Sequence, residues 1–309
     1  MSVVAQGTYA PAAGMDGTTA LYKDSSAFID WAASCVVKRG LQDIAQASSD
    51  TASVGSSANV IGEADGNKVV SLGDGGEAIV QFNGSIFDGQ GPDFAIFENA
   101  FNASFLELAF VEVSSDGVNY FRFPAHSLTD TNTAVGSFGS VDASNVNNLA
   151  GKYQANYGTP FDLNELAGIN GLDIQKITHI KIVDVVGSLD DTYATKDSAG
   201  NKINDQYPTP FPSGGFDLDA VGVIHLTPLG LQKIKVQEIR FYPNPTHEEV
   251  FLDEKWTSAN YSLTDSKGTQ LISGVVSEKS ISLANLNMGI YFLQLQHKNE
   301  FGTAKIIKQ

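Results

Sequence analysis

Short apolar runs, each ended by Gly, Asn, Asp or Pro, recur from Lys68 onward and constrain the fold more than any other feature of the chain. Alternating or continuous apolar segments bounded by these turn formers are typical of β-strands. The runs lie at 68–72, 78–82, 94–97, 108–113, 120–123, 180–186 and 220–226. Almost no helical pattern separates them. The sequence therefore predicts an all-β body, a jelly-roll-like antiparallel β-sandwich, and disfavours a parallel α/β fold.

One segment, 25–46, has a helical pattern instead. After a capping residue at Ser25, apolar side chains recur at helical spacing at Phe28, Trp31, Ala32 and Cys35. We expect a helix there, with Cys35 as a small buried side chain. Because Cys35 is the only cysteine of the 309 residues, an internal disulfide and a cysteine-based zinc site are excluded.

The charge balance limits the possible partners. The chain has 35 Asp and Glu against 19 Lys and Arg, a formal net charge of -16. Such a surface repels phosphate backbones and anionic membrane faces, so we expect no nucleic-acid partner. No apolar run approaches the roughly 18 residues of a membrane helix, so no membrane-spanning segment is expected. Convergent carboxylates would suit a cation.

The chain divides into several parts. Residues 1–5 (MSVVA) are similar to the end of a signal peptide with a small-residue cleavage site, and an ordinary chain terminus is the alternative. The body is expected at 6–230 and a short linker at 231–240, after a proline and a glycine. Short strands at 241–309 predict a second, smaller Ig-like β-sandwich.

The C-terminal segment carries a specific set of motifs. Tyr242-Pro-Asn-Pro245 opens it, Leu263 to Gly268 reads as a hairpin, and a GIYFL strand and the ending Lys305-Ile-Ile-Lys308 follow. This segment resembles the type A C-terminal sorting domain of the Bacteroidota type IX secretion system. The resemblance implies contact with that secretion machinery, export to the outer surface or the medium, and removal of the tail. A generic adhesion module is the alternative.

The body resembles a family of bacterial secreted or cell-surface β-sandwich proteins of undefined activity. The resemblance spans about 60–226 and is carried by the motifs VVSLGDGGEAIVQF (69–82), GPDFAIFENAF (91–101), ELAFVEVSSDGVNYFRFP (107–124), AGKY (150–153), GTPFDL (158–163), ITHIKIVDVVG (177–187) and YPTPFPSGGFDLDAVGVI (207–224). More distant relatives occur beside outer-membrane uptake loci, some of them for corrinoids. The resemblance therefore implies a surface protein and leaves its ligand open.

Polar residues flank the strand at 94–97, which is apolar on both faces and so predicts a central strand. Asp93 precedes it, and Glu98 and Asn99 follow at the opposite end. Three roles stay open for the last two residues: hydrogen bonds to backbone donors of a turn, metal ligation, or catalysis.

A second acidic motif is Asp217-Leu-Asp219 in GGFDLDAV. Residues two apart on a strand share a face, and two close carboxylates repel each other unless a cation or strong donors lie between them. Calcium prefers carboxylate, amide and carbonyl oxygens. We therefore predict a structural Ca²⁺ site whose ligands are Asp93, Glu98, Asn99, Asp217 and Asp219. Solvent and loop hydrogen bonds are the alternative surroundings.

Glu112 lies on a partly apolar face of its strand and needs a partner if it is buried. The Ser115-Asp-Gly117 turn predicts a hairpin that places Arg122 across from it, so we expect an ion pair.

Two long polar stretches, 127–160 and 188–215, interrupt the strands, and loops of this length usually border a site. The aromatic residues in the second stretch include Tyr193, Tyr207 and Phe211, which we predict as ligand-binding residues. The alternative is that these rings only pack the loops against the body.

No zinc-hydrolase, nucleophile-elbow or phosphate-loop motif occurs, so no catalytic residue is assigned. The sequence predicts a secreted or cell-surface binding protein, stabilised by calcium, for a glycan or a small nutrient. Three alternatives stay open: a polysaccharide hydrolase using two of Glu98, Glu112, Asp217 and Asp219, a structural adhesin, and a corrinoid-capture surface protein.

Overall fold

The computed structural model describes residues 8–228, 235–297 and 300–309, with only the backbone of 235–238. It divides into two compact units, Met1–Leu229 and Gly230–Gln309. The described residues form strands and short 3-10 helices and contain no α-helix, so the predicted all-β class is confirmed. The signal-peptide remnant predicted at 1–5 lies outside the described residues, as do 231–234 of the predicted linker.

The N-terminal unit consists mainly of short strands. In chain order, its described strands are β1 (Leu21–Tyr22), β2 (Asp30–Trp31), β3 (Ser34–Lys38), β4 (Val70–Ser71), β5 (Glu77–Ile86), β6 (Phe94–Glu98), β7 (Ala109–Ser114), β8 (Phe121–Arg122), β9 (His126–Ser127), β10 (Val146–Asn147), β11 (Tyr157–Phe161), β12 (Ile177–Asp184), β13 (Asp217–Val223) and β14 (Leu226–Pro228). Its 3-10 helices are Ser57–Val60, Ala143–Asn145 and Leu163–Leu166.

Strands β9 and β10 pair with each other, and the other twelve strands form two six-stranded sheets. One has the order β1-β11-β6-β13-β2, with β4 beside β13, and the other has the order β14-β5-β12-β7-β8, with β3 beside β5. Their facing apolar side chains share one core, to which β6 and β13 contribute from the first sheet and β5, β7 and β12 from the second. The body is a β-sandwich. Its jelly-roll-like connectivity stays a prediction.

Strand β6 occupies the position that its sequence predicts. It lies between β11 and β13, and all of its residues are buried. Phe94 and Ile96 belong to the core between the sheets, whereas Ala95 and Phe97 pack on the other face of the sheet. A strand this apolar on both faces is stable only where protein covers both sides of the sheet.

The prediction of a helix at 25–46 is wrong. Strand β2 pairs with β13, and β3 pairs along β5 with Cys35 opposite Val80. Cys35 and Val37 pack against the core while Val36 between them is 71% exposed, so the true period is two. Partners distant in the sequence satisfy these backbone groups, which a local helical pattern cannot reveal.

The hairpin predicted at 115–117 joins β7 to β8, and Gly117 has the left-handed φ of +75° that the turn requires. The predicted ion pair is also confirmed, because a nitrogen of Arg122 lies 2.7 Å from the Glu112 carboxylate. Lys181 contacts the other oxygen of Glu112 at 2.6 Å. Two cations therefore satisfy the charge of this buried carboxylate.

The C-terminal unit is a smaller two-sheet arrangement. Its described strands are β15 (Lys235–Glu238), β16 (Phe241–Tyr242), β17 (Glu249–Leu252), β18 (Asn260–Thr264), β19 (Gln270–Val275), β20 (Ser280–Ser282), β21 (Gly289–His297) and β22 (Glu300–Lys308). A 3-10 helix spans Glu254–Trp256. The sheets have the orders β15-β22-β21-β18-β19 and β16-β17-β20, and Trp256 is fully buried in their common core. Strand β15 lies within the segment predicted as a linker.

Candidate functional site

An acidic cavity lies where β6 ends and β13 begins. Leu218 pairs with Glu98, so the neighbouring Asp217 lies at the same edge, and Glu107 precedes the start of β7 by two residues. The cavity has a volume of about 240 Å³. It is lined by Glu98, Asn99, Ala100, Phe101, Phe105, Glu107, Ser137, Phe138, Thr209, Phe211, Ser213 and Asp217. Three carboxylates and no basic residue line it.

The Glu98 side chain is the most buried of the three, at 1% exposure. Its Oε2 accepts a hydrogen bond from the backbone N–H of Ala100 at 2.8 Å. Its Oε1 is also buried but accepts no hydrogen bond from any described residue. Loss of hydration raises the pKa of Glu98 well above its usual value, and repulsion from Asp217 and Asp205 raises it further. An unpaired buried carboxylate oxygen is costly, so this atom needs a partner.

Glu107 is partly buried and faces the same cavity. Loss of hydration raises the pKa of Glu107 well above its usual value, and repulsion from Glu98 and Asp217 raises it further. Repulsion from Asp217 contributes to the raised pKa of both glutamates, so the three carboxylates share one electrostatic environment. A cation between them would remove that repulsion and restore their ionised forms.

Asp217 is held by its neighbour on β4, because the Ser71 hydroxyl donates a hydrogen bond to its carboxylate. Burial raises the pKa of Asp217 to about 6, while this hydrogen bond and the charge of Arg39 act in the opposite direction. The guanidinium of Arg39 donates to the backbone carbonyls of Val54, Gly55 and Ser71 rather than to the carboxylate. Arg39 therefore supports the loop and acts on Asp217 only through its charge, without a hydrogen bond to the carboxylate.

A row of phenylalanine rings surrounds the acidic floor. Phe101 stacks on Phe105 with 4.3 Å between ring centroids, Phe105 lies 6.5 Å from Phe138, and Phe138 lies 5.7 Å from Phe211. We call these four residues the phenylalanine rim. Phe101 is 72% exposed and Phe138 is 74% exposed, so two of the rings contribute little to a core. Exposed aromatic rings grouped at a cavity are typical of ligand-binding surfaces.

The two long loops meet at this cavity, as the sequence predicts. Ser137 and Phe138 come from the first loop, and Thr209, Phe211 and Ser213 come from the second. The loops are also tied together, because the Ser137 hydroxyl donates to the carbonyl of Pro208 at 2.7 Å. These loops therefore form fixed walls of the site.

Of the residues predicted to bind metal, Glu98, Asn99 and Asp217 line the cavity, and Asp93 and Asp219 do not. Asp219 accepts hydrogen bonds from the backbone N–H groups of Asp65 and Gly66. A register shift between Leu218 and Ala220 makes residue 219 the extra residue of a bulge, which gives the two carboxylates of this motif different surroundings.

Asp93 lies at the other end of β6 and is fully buried. Its carboxylate accepts hydrogen bonds from the N–H groups of Gly89 and Leu163, at 2.8 and 2.7 Å, and lies 2.7 Å from Nδ1 of His225. Asp88 and Asp162 approach it, with one oxygen of each of the three carboxylates within 4.8 Å of the others. Asp93 is thus well supplied with donors.

The predicted ligand-binding aromatics are also divided. Phe211 lines the cavity, whereas Tyr193 and Tyr207 are not among the lining residues. The Tyr207 hydroxyl donates a hydrogen bond to the Asp43 carboxylate at 3.1 Å, and this contact lies outside the cavity lining.

Eight of the twelve lining residues were not predicted from the sequence, and four of these eight supply a carboxylate or an aromatic ring: Glu107, Phe101, Phe105 and Phe138. For the first three a signal existed. The segment FNASFLE after β6 places two phenylalanines and a glutamate among polar residues, where rings have no obvious core to fill. Phe138, in a polar loop distant in the sequence, gave no such indication.

The C-terminal unit has its own set of features. Strands β18 and β19 form the predicted hairpin, in which the Asp265 carboxylate accepts from the N–H groups of Lys267 and Thr269. Residues 240–309 match the family model described as a secretion system C-terminal sorting domain. This unit is a type IX secretion system sorting domain.

The sorting domain implies that the protein interacts with the type IX machinery and is secreted or displayed at the cell surface. Among the described residues, no helix combines the length and the apolar composition that a bilayer crossing requires. A search among curated proteins returned no match to this chain.

Proposed function

We propose that the exported protein is a calcium-dependent binding protein whose acidic cavity holds Ca²⁺ between Glu98, Glu107 and Asp217. The observation that carries the proposal is the buried Oε1 of Glu98, which has no donor among the described residues although it faces a cavity shared with two other carboxylates. A divalent cation satisfies this oxygen and removes the repulsion among the three groups at once.

The donor set favours calcium over other metals. The lining residues offer carboxylate, amide and hydroxyl oxygens and include no histidine or cysteine, which zinc and copper prefer. Calcium accepts six to eight oxygen ligands in flexible geometry. Three carboxylates and the Asn99 amide leave positions for water or for oxygens of a bound ligand.

The export of the protein agrees with this assignment. Calcium sites of extracellular modules have dissociation constants of about 10⁻⁴–10⁻³ M, matched to the calcium outside cells. We therefore expect weak binding of this order, and the site fills after export. The calcium ion then acts as the floor of a binding site for a glycan or a small nutrient, with the two long loops as its walls.

Isothermal titration of CaCl₂ into the full chain tests this proposal. The wild type should bind calcium at one site, and Glu98→Gln should weaken binding at least tenfold because the amide supplies only one neutral oxygen. Glu63→Gln is the matched control, since Glu63 is exposed and lies outside the cavity. Equal affinity of the wild type and Glu98→Gln would overturn the proposal.

A polysaccharide hydrolase is the second candidate. The raised pKa values of Glu98 and Glu107 favour it, because an acid catalyst must carry a proton near neutral pH. Glu112 is not a candidate catalytic residue of such a hydrolase, because its carboxylate forms ion pairs with Arg122 and Lys181. Release of reducing ends from a glycan panel by the wild type, and its loss in Glu107→Gln, would favour the hydrolase.

A further inference from the structure

The phenylalanine rim and the acidic floor together specify the kind of ligand that fits this cavity. We infer that the site binds a single neutral sugar ring, which offers neighbouring hydroxyls to the cation and an apolar ring face to the rim. This inference rests on the proposed calcium site and goes beyond it by naming the ligand class.

The phenylalanine rim presents one apolar surface to a ligand. Its four rings belong to three separated chain segments, yet consecutive centroids are only 4.3, 6.5 and 5.7 Å apart. They form one apolar surface at the mouth of a cavity whose floor is charged. A ligand that covers both must have an apolar face and oxygen atoms close to it. A pyranose ring has this combination, because its C–H groups form a face that packs on the electron-rich face of an aromatic ring.

The volume of the cavity limits the size of the ligand. A cavity of about 240 Å³ is smaller than the 300–1,000 Å³ of sites for drug-sized ligands. It has room for a cation and one ring-sized group, so a flat macrocycle such as a corrinoid would not enter it. A longer glycan would therefore be bound through one sugar unit.

The neutral polar side chains of the lining also bear on the class of ligand. The side chains of the half-buried Asn99 and the exposed Ser213 line the cavity. They can pair with hydroxyls that do not contact the cation. Both are neutral, and such donors and acceptors match sugar hydroxyls rather than a charged group.

The net charge of the occupied site limits the charge that the ligand can carry. Three ionised carboxylates with one Ca²⁺ leave a net charge of about -1, and the chain as a whole has -16. A uronic or sialic acid would be repelled, so the ligand should be neutral. An organic ammonium ion is the competing occupant, because it would pair with the carboxylates directly and would need no calcium.

Titration calorimetry of the full chain with methyl glycosides of mannose, galactose, glucose and fucose tests the inference, in calcium and in EDTA. At least one glycoside should bind in calcium and fail to bind in EDTA, and galacturonic acid should bind at least tenfold more weakly. Phe138→Ala should weaken sugar binding about tenfold in saturating calcium. Phe138→Trp, which keeps a flat ring, should retain sugar binding.

Phe292→Ala is the matched control, because Phe292 is a half-exposed phenylalanine of the sorting domain. If calcium binds and none of the glycosides does, the sugar inference is wrong while the calcium proposal stands. Tetramethylammonium binding in EDTA without sugar binding would likewise overturn it in favour of an organic cation. Absence of calcium binding would overturn the proposed function itself.

Discussion

The two ends of strand β6 carry buried carboxylates in opposite situations. At the start, Asp93 accepts two backbone N–H groups and contacts His225. At the end, Glu98 accepts one N–H through Oε2 and none through Oε1, and two more carboxylates face the same space. We infer from this difference that an acidic residue at a strand end stabilises the fold where the backbone supplies hydrogen-bond donors. Where donors are absent, we propose that the carboxylate binds a ligand.

The largest expected effect is at the Asp93 end. Asp93→Ala should lower the free energy of unfolding by about 3 kcal/mol, because it leaves buried N–H groups and His225 without their acceptor. Urea unfolding of the full chain, followed through Trp31 of the N-terminal unit, measures this loss. Asp93→Asn keeps one acceptor and should cost less. A loss below about 1 kcal/mol for the alanine variant would mean that Asp93 does not support the fold as described.

Calcium should stabilise the protein through the Glu98 end. At a hundredfold excess over the dissociation constant, a ligand specific for the folded state contributes about 2.7 kcal/mol, and the unfolding midpoint should rise accordingly. Glu98→Gln should abolish this rise. In EDTA the same variant should be at least as stable as the wild type, because a neutral amide replaces a carboxylate whose pKa is raised by burial. A calcium-induced rise that persists in Glu98→Gln would place the ion elsewhere.

The pH dependence in EDTA should show the cost of the buried acids. Burial raises the pKa of Asp217 to about 6 and of Asp205 to about 7, so the folded protein holds protons that the unfolded chain releases near pH 4. Stability should therefore fall as pH rises from about 4 to 7. Backbone N–H groups of Lys68 and Asn67 lower the pKa of Asp65 to about 2, which makes stability fall again below pH 4.

Calcium should reduce the decline above pH 4, because the ion selects the ionised carboxylates. Thermal melts across this pH range, with and without calcium, measure both effects. A midpoint in EDTA that rises steadily from pH 4 to 7 would contradict the account of the buried acids.

The smallest expected effect concerns Asp219. Asp219→Asn should lower the free energy of unfolding by about 1 kcal/mol, since the amide oxygen replaces only one of two acceptors for the N–H groups of Asp65 and Gly66. Calcium affinity should change by less than about twofold, within the spread of a remote substitution. A large loss of affinity, measured by the same calorimetry, would return Asp219 to the set of calcium ligands first predicted from the sequence.

The sequence allowed the fold to be predicted where both faces of a segment carry a clear pattern. Strand β6 is apolar on both faces and could be recognised as central, and the hairpin that joins Glu112 to Arg122 could be placed from its turn residues. Strand β3 could not be predicted, because its pairing with β5 depends on residues about forty positions away. Its local apolar spacing resembles that of a helix instead.

The candidate site could be predicted only in part for the same reason. Glu98, Asn99 and Asp217 lie at strand ends that neighbour each other in the sheet, which the strand pattern indicates. The division between Asp217 and Asp219 depends on a bulge, and the presence of Phe138 depends on how a long polar loop folds back. Neither feature has a signature in a single sequence.

The most direct test is to locate the metal. A crystal of the full chain soaked in calcium, or in manganese as an anomalous substitute, should show one anomalous peak at the end of β6, with oxygens of Glu98, Glu107 and Asp217 at about 2.3–2.6 Å for calcium. A peak at the opposite end, among Asp88, Asp93 and Asp162, or no peak at a concentration that saturates the calorimetric titration, would contradict the account.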